Sequence, residues 1–189
     1  NRQNITIRNC GVRGFHIGID IGGGAGHLIE DNRVDNSTLI GMVLRGDAIT
    51  ARRNRIIDTG GRLDSAYSVG ISLSGTGTSI SDNQVVNVTV TGSSSGNGYV
   101  YGISFTGTGH EIARNQLINL IPAGAGGAYG TVGGGSGSSL RDNTAINSTP
   151  TNGWGFDGGS SGSQCRGNMS RGFTTVLEYC TDVSGNAGT

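Results

Sequence analysis

A short pattern recurs along the chain: an apolar residue, two variable residues, then asparagine. It stands at Ile29-Glu30-Asp31-Asn32, Ile80-Ser81-Asp82-Asn83, Ile112-Ala113-Arg114-Asn115 and Leu140-Arg141-Asp142-Asn143, with weaker copies ending at Asn54 and Asn168. In the first copy Cys10 takes the asparagine's place after Ile7. An aliphatic residue follows two positions on, as at Val34, Ile56, Val85 and Leu117, and a second amide or acid four positions on, as at Asn36, Asp58, Asn87, Asn119 and Asn147. A glycine then leads an apolar strand at Gly18, Gly41, Gly70, Gly102, Gly130 and Gly155.

From that glycine to the next asparagine the spacing is 14 residues once and 13 five times, whereas from asparagine position to glycine it runs 8, 9, 16, 19, 15 and 12. All length variation therefore falls in one connection per repeat. That is the behaviour of a stacked-coil solenoid whose insertions project from one face. Alternation such as Val69, Ile71, Leu73 has the period of strands, and no segment keeps a helical period beyond a turn. Glycine, at 37 of 189 residues, would fit disorder or collagen, but the repeat excludes the first and the lack of a three-residue glycine period the second.

These asparagine-marked repeats resemble the right-handed parallel β-helix of the pectin-lyase-like superfamily over nearly the whole chain. The expectation is an all-β, single-stranded parallel β-helix of about seven coils, residues 1–189 forming one domain cut from, or processed out of, a longer chain. The resemblance spans polysaccharide lyases, glycoside hydrolases, phage tailspikes and non-catalytic proteins. Its best-known catalytic signatures are missing here: Gly109-His110-Glu111 is the nearest approach to one of them.

Charge narrows the partners. Thirteen arginines balance thirteen acids, there is no lysine, and no basic tract or ~20-residue apolar run occurs, which argues against nucleic acid and membrane partners. The residue before each asparagine alternates in sign (Asp31, Arg53, Asp82, Arg114, Asp142), as opposed charges on neighbouring coils would. His16, His27 and His110 are too scattered for zinc and no aspartate cluster suggests calcium, so no metal and no cofactor is expected.

The insertions span 59–68, 88–100, 120–128 and 148–153 and put enlarged loops on four adjacent coils. A row of loops beside a flat sheet makes a groove suited to a polysaccharide or oligosaccharide. Tyr67 and Tyr99, beside the loops, are candidate sugar contacts, with Arg62 as a further substrate-binding residue. Tyr101, Tyr129 and Trp154 share one column, each just before its strand glycine. Exposed, that column would be a carbohydrate platform, but strict alternation with Ile103 and Phe105 puts it in the core. The candidate catalytic acids are Asp64 and Asp157; Asp20 shares the column of Asp157 but lies five coils away, roughly 24 Å.

Asn36, Asn87 and Asn147 match glycosylation sequons but fall in the second amide file, where inward structural use is expected. Cys10 and Cys165 read as buried thiols, and Cys165 could instead bond Cys180 if their Cα atoms lie within ~7 Å. The functional expectation is an extracellular, cell-surface or virion β-helix that recognises carbohydrate and, if an enzyme, acts as lyase or hydrolase. The alternative is a non-catalytic structural shaft or adhesin module. A homo-oligomer, a trimer if tailspike-like, would bring a second acid from a neighbouring chain and cover the exposed coil edges.

Overall fold

The computed structural model describes residues 2–92, 96–160 and 162–188; Ser93, Ser94 and Ser95 of the second insertion lie outside them. The chain folds as a parallel β-helix. Short strands at Thr6–Arg8, Leu28–Glu30, Thr50–Arg52, Ser79–Ser81, Glu111–Ala113, Ser139–Arg141, Gln164–Arg166 and Thr181–Ser184 stack in that order into one eight-stranded parallel sheet. Eight rungs enclose seven turns. The other two faces join into a 13-stranded sheet because Thr144–Asp157 runs unbroken around the bend between them.

Each file of aligned residues is one layer of the core. Ile29, Ala51, Ile80, Ile112, Leu140 and Cys165 are directly paired on successive rungs and none is exposed. Val34, Ile56, Val85, Leu117 and Ala145 form a second buried file, and Met42, Ile71, Ile103 and Phe156 belong to a third. Such files bury apolar surface without long side chains, which is how a chain poor in aromatics closes a core.

The asparagine file is continuous. Asn32, Asn54, Asn83, Asn115, Asn143 and Asn168 each donate from Nδ2 to the Oδ1 of the next, at 2.9–3.0 Å, ending on Asn186. The second Nδ2 hydrogen reaches back to a ladder-sheet carbonyl, Ile80 in the case of Asn115. At the head of the file Cys10 contributes only its backbone N–H, to Asn32 Oδ1, and its thiol is exposed, not buried as expected.

The residue before each ladder asparagine has left-handed backbone: Asp31, Arg53, Asp82, Arg114 and Asp142 all lie at φ 54–57°. Their side chains then meet across coils as the sign alternation predicts. Arg53 pairs with Asp31 and Arg114 with Asp82, both bidentate. Glu30 bonds Arg52 and Arg53, and Asp20 pairs with Arg45 on the next coil.

The second amide file points the other way from the expectation. Asn36 and Asp58 are exposed and Asn87 and Asn119 half-buried, all four with φ of 52–58° at a corner, while Asn147 alone is buried. Asn119 donates to Asn87 and Asn87 to Asp58 on the outer surface, because a left-handed corner turns the short amide outward. Cys165 and Cys180 are disulfide-bonded, with Cα atoms 5.8 Å apart.

Candidate functional site

The strand glycines set the geometry of the candidate face. A Cβ on Gly18, Gly41, Gly70 or Gly102 would sit 2.6 Å from the carbonyl oxygen of the next glycine in the file, and it would point at Val34, Ile56, Val85 or Leu117. These glycines therefore face inward at a bend where the backbone passes close over its neighbour. In the coil that carries Tyr101, Val100 and Ile103 are both fully buried and Tyr101 between them is not. Two successive residues, Gly102 and Ile103, face the core, so the strand changes phase and the residue before the glycine points out.

This overturns the core placement of the aromatic column. Tyr101 and Tyr129 stack with ring centroids 5.2 Å apart and 16° between planes, and Trp154 meets Tyr129 edge-on at 5.0 Å. Tyr99 stacks on Tyr129 at 6.5 Å. Tyr67 is paired in register with Tyr99, and the two are 43% and 40% exposed, enough to offer ring faces to a ligand. Burial and neighbouring phenols raise the pKa values of Tyr101 and Tyr129 above the ordinary tyrosine value, keeping both as neutral hydroxyls.

Below the rings lies a shallow cleft of about 520 Å³. Its floor is Val69, Ser72, Ser104 and Val132, and Tyr67, Tyr99 and Tyr101 border it. Ser72, Ser104 and Val132 are the residues two past their glycines, a file that sequence alternation marks as outward. A second cleft of about 580 Å³ opens between insertions 120–128 and 148–153, with Asn119, Asn147, Thr151 and Asn152 supplying amides and hydroxyls beside Ile121 and Pro122.

The two candidate acids are not brought together. Asp64 is exposed, at φ 56° in the first insertion. Asp157 stands three coils on, in the file of Ser72 and Ser104, and is only 4% exposed. Its Oδ1 accepts the Gly159 N–H at 2.7 Å, and burial, reinforced by Glu178, raises its pKa. Glu178 is its register partner on the next coil, a neighbour hidden in the sequence because Val176 replaces the marker glycine. Arg62, in the first insertion, lies with its guanidinium 3.3 Å from the His16 ring, and its carbonyl accepts the Thr91 hydroxyl. Among the described residues no three His, Cys, Asp or Glu side chains gather as a metal site would require.

A family model described as a right handed beta helix region matches residues 1–118. No curated protein and no solved structure matches the chain. The matched segment covers more than half of the sequence and every coil up to the one that carries Tyr101, and with the parallel files beyond it the chain belongs to the right-handed β-helix family.

Proposed function

We propose that this β-helix is an extracellular, cell-surface or virion domain that recognises a polysaccharide or oligosaccharide on the face bordered by Tyr67, Tyr99, Tyr101, Tyr129 and Trp154. The observation that carries the reading is the outward stack of Tyr101 on Tyr129, with Trp154 against it, beside a cleft floored by serine hydroxyls. Flat aromatic faces take the apolar faces of sugar rings, and hydroxyls next to them take the sugar's own. The rigid parallel scaffold supports this, since it fixes the rings before any ligand arrives and so limits the ordering cost of binding. The Cys165–Cys180 disulfide supports an oxidising compartment.

Cleavage of the bound glycan is proposed with it. Asp64 on the bordering insertion and Asp157 at the far end of the outward file are the acids offered for it, with Arg62 as a substrate-orienting group. Hydrolysis needs two carboxyl groups ~5.5 Å or ~6.5–9.5 Å apart. Asp64 and Asp157 are separated by three coils, roughly 14 Å of stacking, and do not form such a pair; the acid proposed beside Asp157 within one chain is Glu178, its register partner on the next coil.

Trp154 is the sole tryptophan and reports on this face directly. Titration with a polysaccharide panel is expected to shift its fluorescence, and Tyr101→Ala to abolish the shift; the same panel is assayed for new reducing and unsaturated ends. Binding that survives Tyr99→Ala and Tyr101→Ala would place the site elsewhere. A panel in which nothing binds and nothing is cleaved would leave a rigid shaft.

A further inference from the structure

The charges around the aromatic cleft say what kind of glycan it takes. Among the described residues its floor and walls are tyrosine, serine and aliphatic side chains, with no charged residue. The chain has no lysine, so every fixed cation is one of its arginines. Arg52, Arg53, Arg114 and Arg141 are spent on acids along the ladder sheet, a different face from the cleft. Arg45, on the same sheet as the cleft, is paired with Asp20. Arg62 borders the cleft only through its insertion, and its guanidinium is turned to His16. The exposed acid on that insertion is Asp64.

Resting on the carbohydrate reading above, we propose that the glycan bound here is uncharged, a neutral polysaccharide and not a polyuronate. A uronate carboxylate brought against Tyr99 and Tyr101 would lose water without gaining a cation, which is unfavourable in any partly desolvated site. On the bordering insertion the charges of Arg62 and Asp64 offset one another, so it offers an approaching anion no net attraction. A neutral pyranose loses little, since its C–H face lies on the rings and its hydroxyls meet Ser72, Ser104 and the phenols. The cleft between insertions 120–128 and 148–153 has the same character: its lining among the described residues is amide, hydroxyl and aliphatic, again without a charged side chain.

The test measures binding of neutral glycans (a β-glucan, a mannan and an arabinoxylan) against polygalacturonate, alginate and hyaluronan, at low and high salt. The parent chain is compared with Tyr99→Ala, whose exposed ring can be removed without opening the core, and with Tyr101→Ala. At least one neutral glycan is expected to bind at least about tenfold more tightly than any polyuronate, with affinity independent of salt and reduced by both substitutions. Polyuronate binding that weakens in salt and is lost in Tyr99→Ala would overturn the neutral class and leave carbohydrate recognition standing. Failure of every glycan to bind would overturn the carbohydrate reading itself. Neutral binding untouched by either substitution would overturn this cleft as its location.

Discussion

The Asn115 Oδ1 accepts two hydrogen bonds from Asn83, one from the backbone N–H and one from the side-chain Nδ2, each at 3.0 Å. Both residues are buried, so the oxygen has no water to replace either donor. The same double acceptance repeats from Asn32 to Asn186, and each link ties a left-handed corner to the coil above it.

Asn115→Ala is therefore expected to leave the Asn83 N–H, the Ile80 carbonyl and the Asn143 amide oxygen each short of a partner. At ~1–3 kcal/mol for each buried orphan, a loss of several kcal/mol is the expected outcome in urea unfolding. Asn115→Asp keeps the acceptor but loses the donor to Ile80 and Asn143, and puts a charge in the core; it should fold no better than the alanine variant.

Two glycines separate steric need from backbone need. Gly102→Ala puts a Cβ 2.6 Å from the Gly130 carbonyl oxygen and 3.1 Å from Leu117 Cδ1, both held by the stack. Gly109→Ala meets nothing within 4 Å but keeps a φ of +66°. Left-handed strain for alanine is ~1–2 kcal/mol, whereas forcing apart two paired coils is expected to cost more than that. Thermal melting should rank the two variants in that order, and the reverse order would mean the coils can spread.

The files of the fold were legible because the repeat keeps 13 residues on its rigid side in five of six copies, so Asn83, Asn115 and Asn143 could be aligned without coordinates. The direction of the aromatic column was not. Alternation counted through Gly102 assumes a straight strand, and a bend that turns both Gly102 and Ile103 inward reverses the phase for Tyr101. The left-handed corners were visible in principle: in six of the eight coils the position before the file residue holds Asn9, Asp31, Asp82, Asp142, Gly167 or Gly185, the residue types that tolerate positive φ. The charges at Arg53 and Arg114 drew attention to pairing instead. Asp157 illustrates the remaining gap: its column was legible as outward, but the cover provided by Gly158, Gly159 and the neighbouring coil depends on packing that no local pattern encodes.

Thr59 carries a buried hydroxyl with no hydrogen-bond partner among the described residues, and the next residues in its file are Val88 and Leu120. Thr59→Val replaces an orphaned polar atom by a methyl of the same shape. Stability should rise by ~1–2 kcal/mol. A fall would mean that the hydroxyl is satisfied by internal water, to be sought near Ser37 and Ser68, whose hydroxyls are also buried without partners.

Acid should act on this fold with two signs. The Arg114 hydrogen bonds lower the Asp82 pKa, and the Arg141 bonds lower that of Glu111. Their stabilisation is complete above the ordinary carboxylate range and is lost as pH falls through the depressed folded values, below about pH 4. Asp82 and Arg114 are 40% and 45% exposed, so their pair is worth only ~0.2–1 kcal/mol. Burial raises the Asp157 pKa, so its ionisation works against the fold, and stability from this group grows as pH falls from neutral through that raised value. Melting temperature is expected to peak on the weakly acidic side. Asp157→Asn should flatten the rise between neutral pH and the peak, and Asp82→Asn should soften the fall below about pH 4.

The Cys165–Cys180 bond closes a loop of 15 residues around the last coils, and Cys165 ends the buried file that starts at Ile29. Loop closure of that length is worth about 3 kcal/mol. In a solenoid each coil contacts only its neighbours, so the loss should stay local. After reduction, or in Cys180→Ser, amide exchange is expected to quicken across residues 164–188 while the amides of Ile80, Asn83 and Ile112 keep their protection. Trp154, whose strand pairs with residues 169–178, should show the first change in fluorescence as the chain is warmed. Uniform loss of protection along the whole chain would instead mean that the last coils hold the rest closed, as a cap whose removal lets the stack unwind from its end.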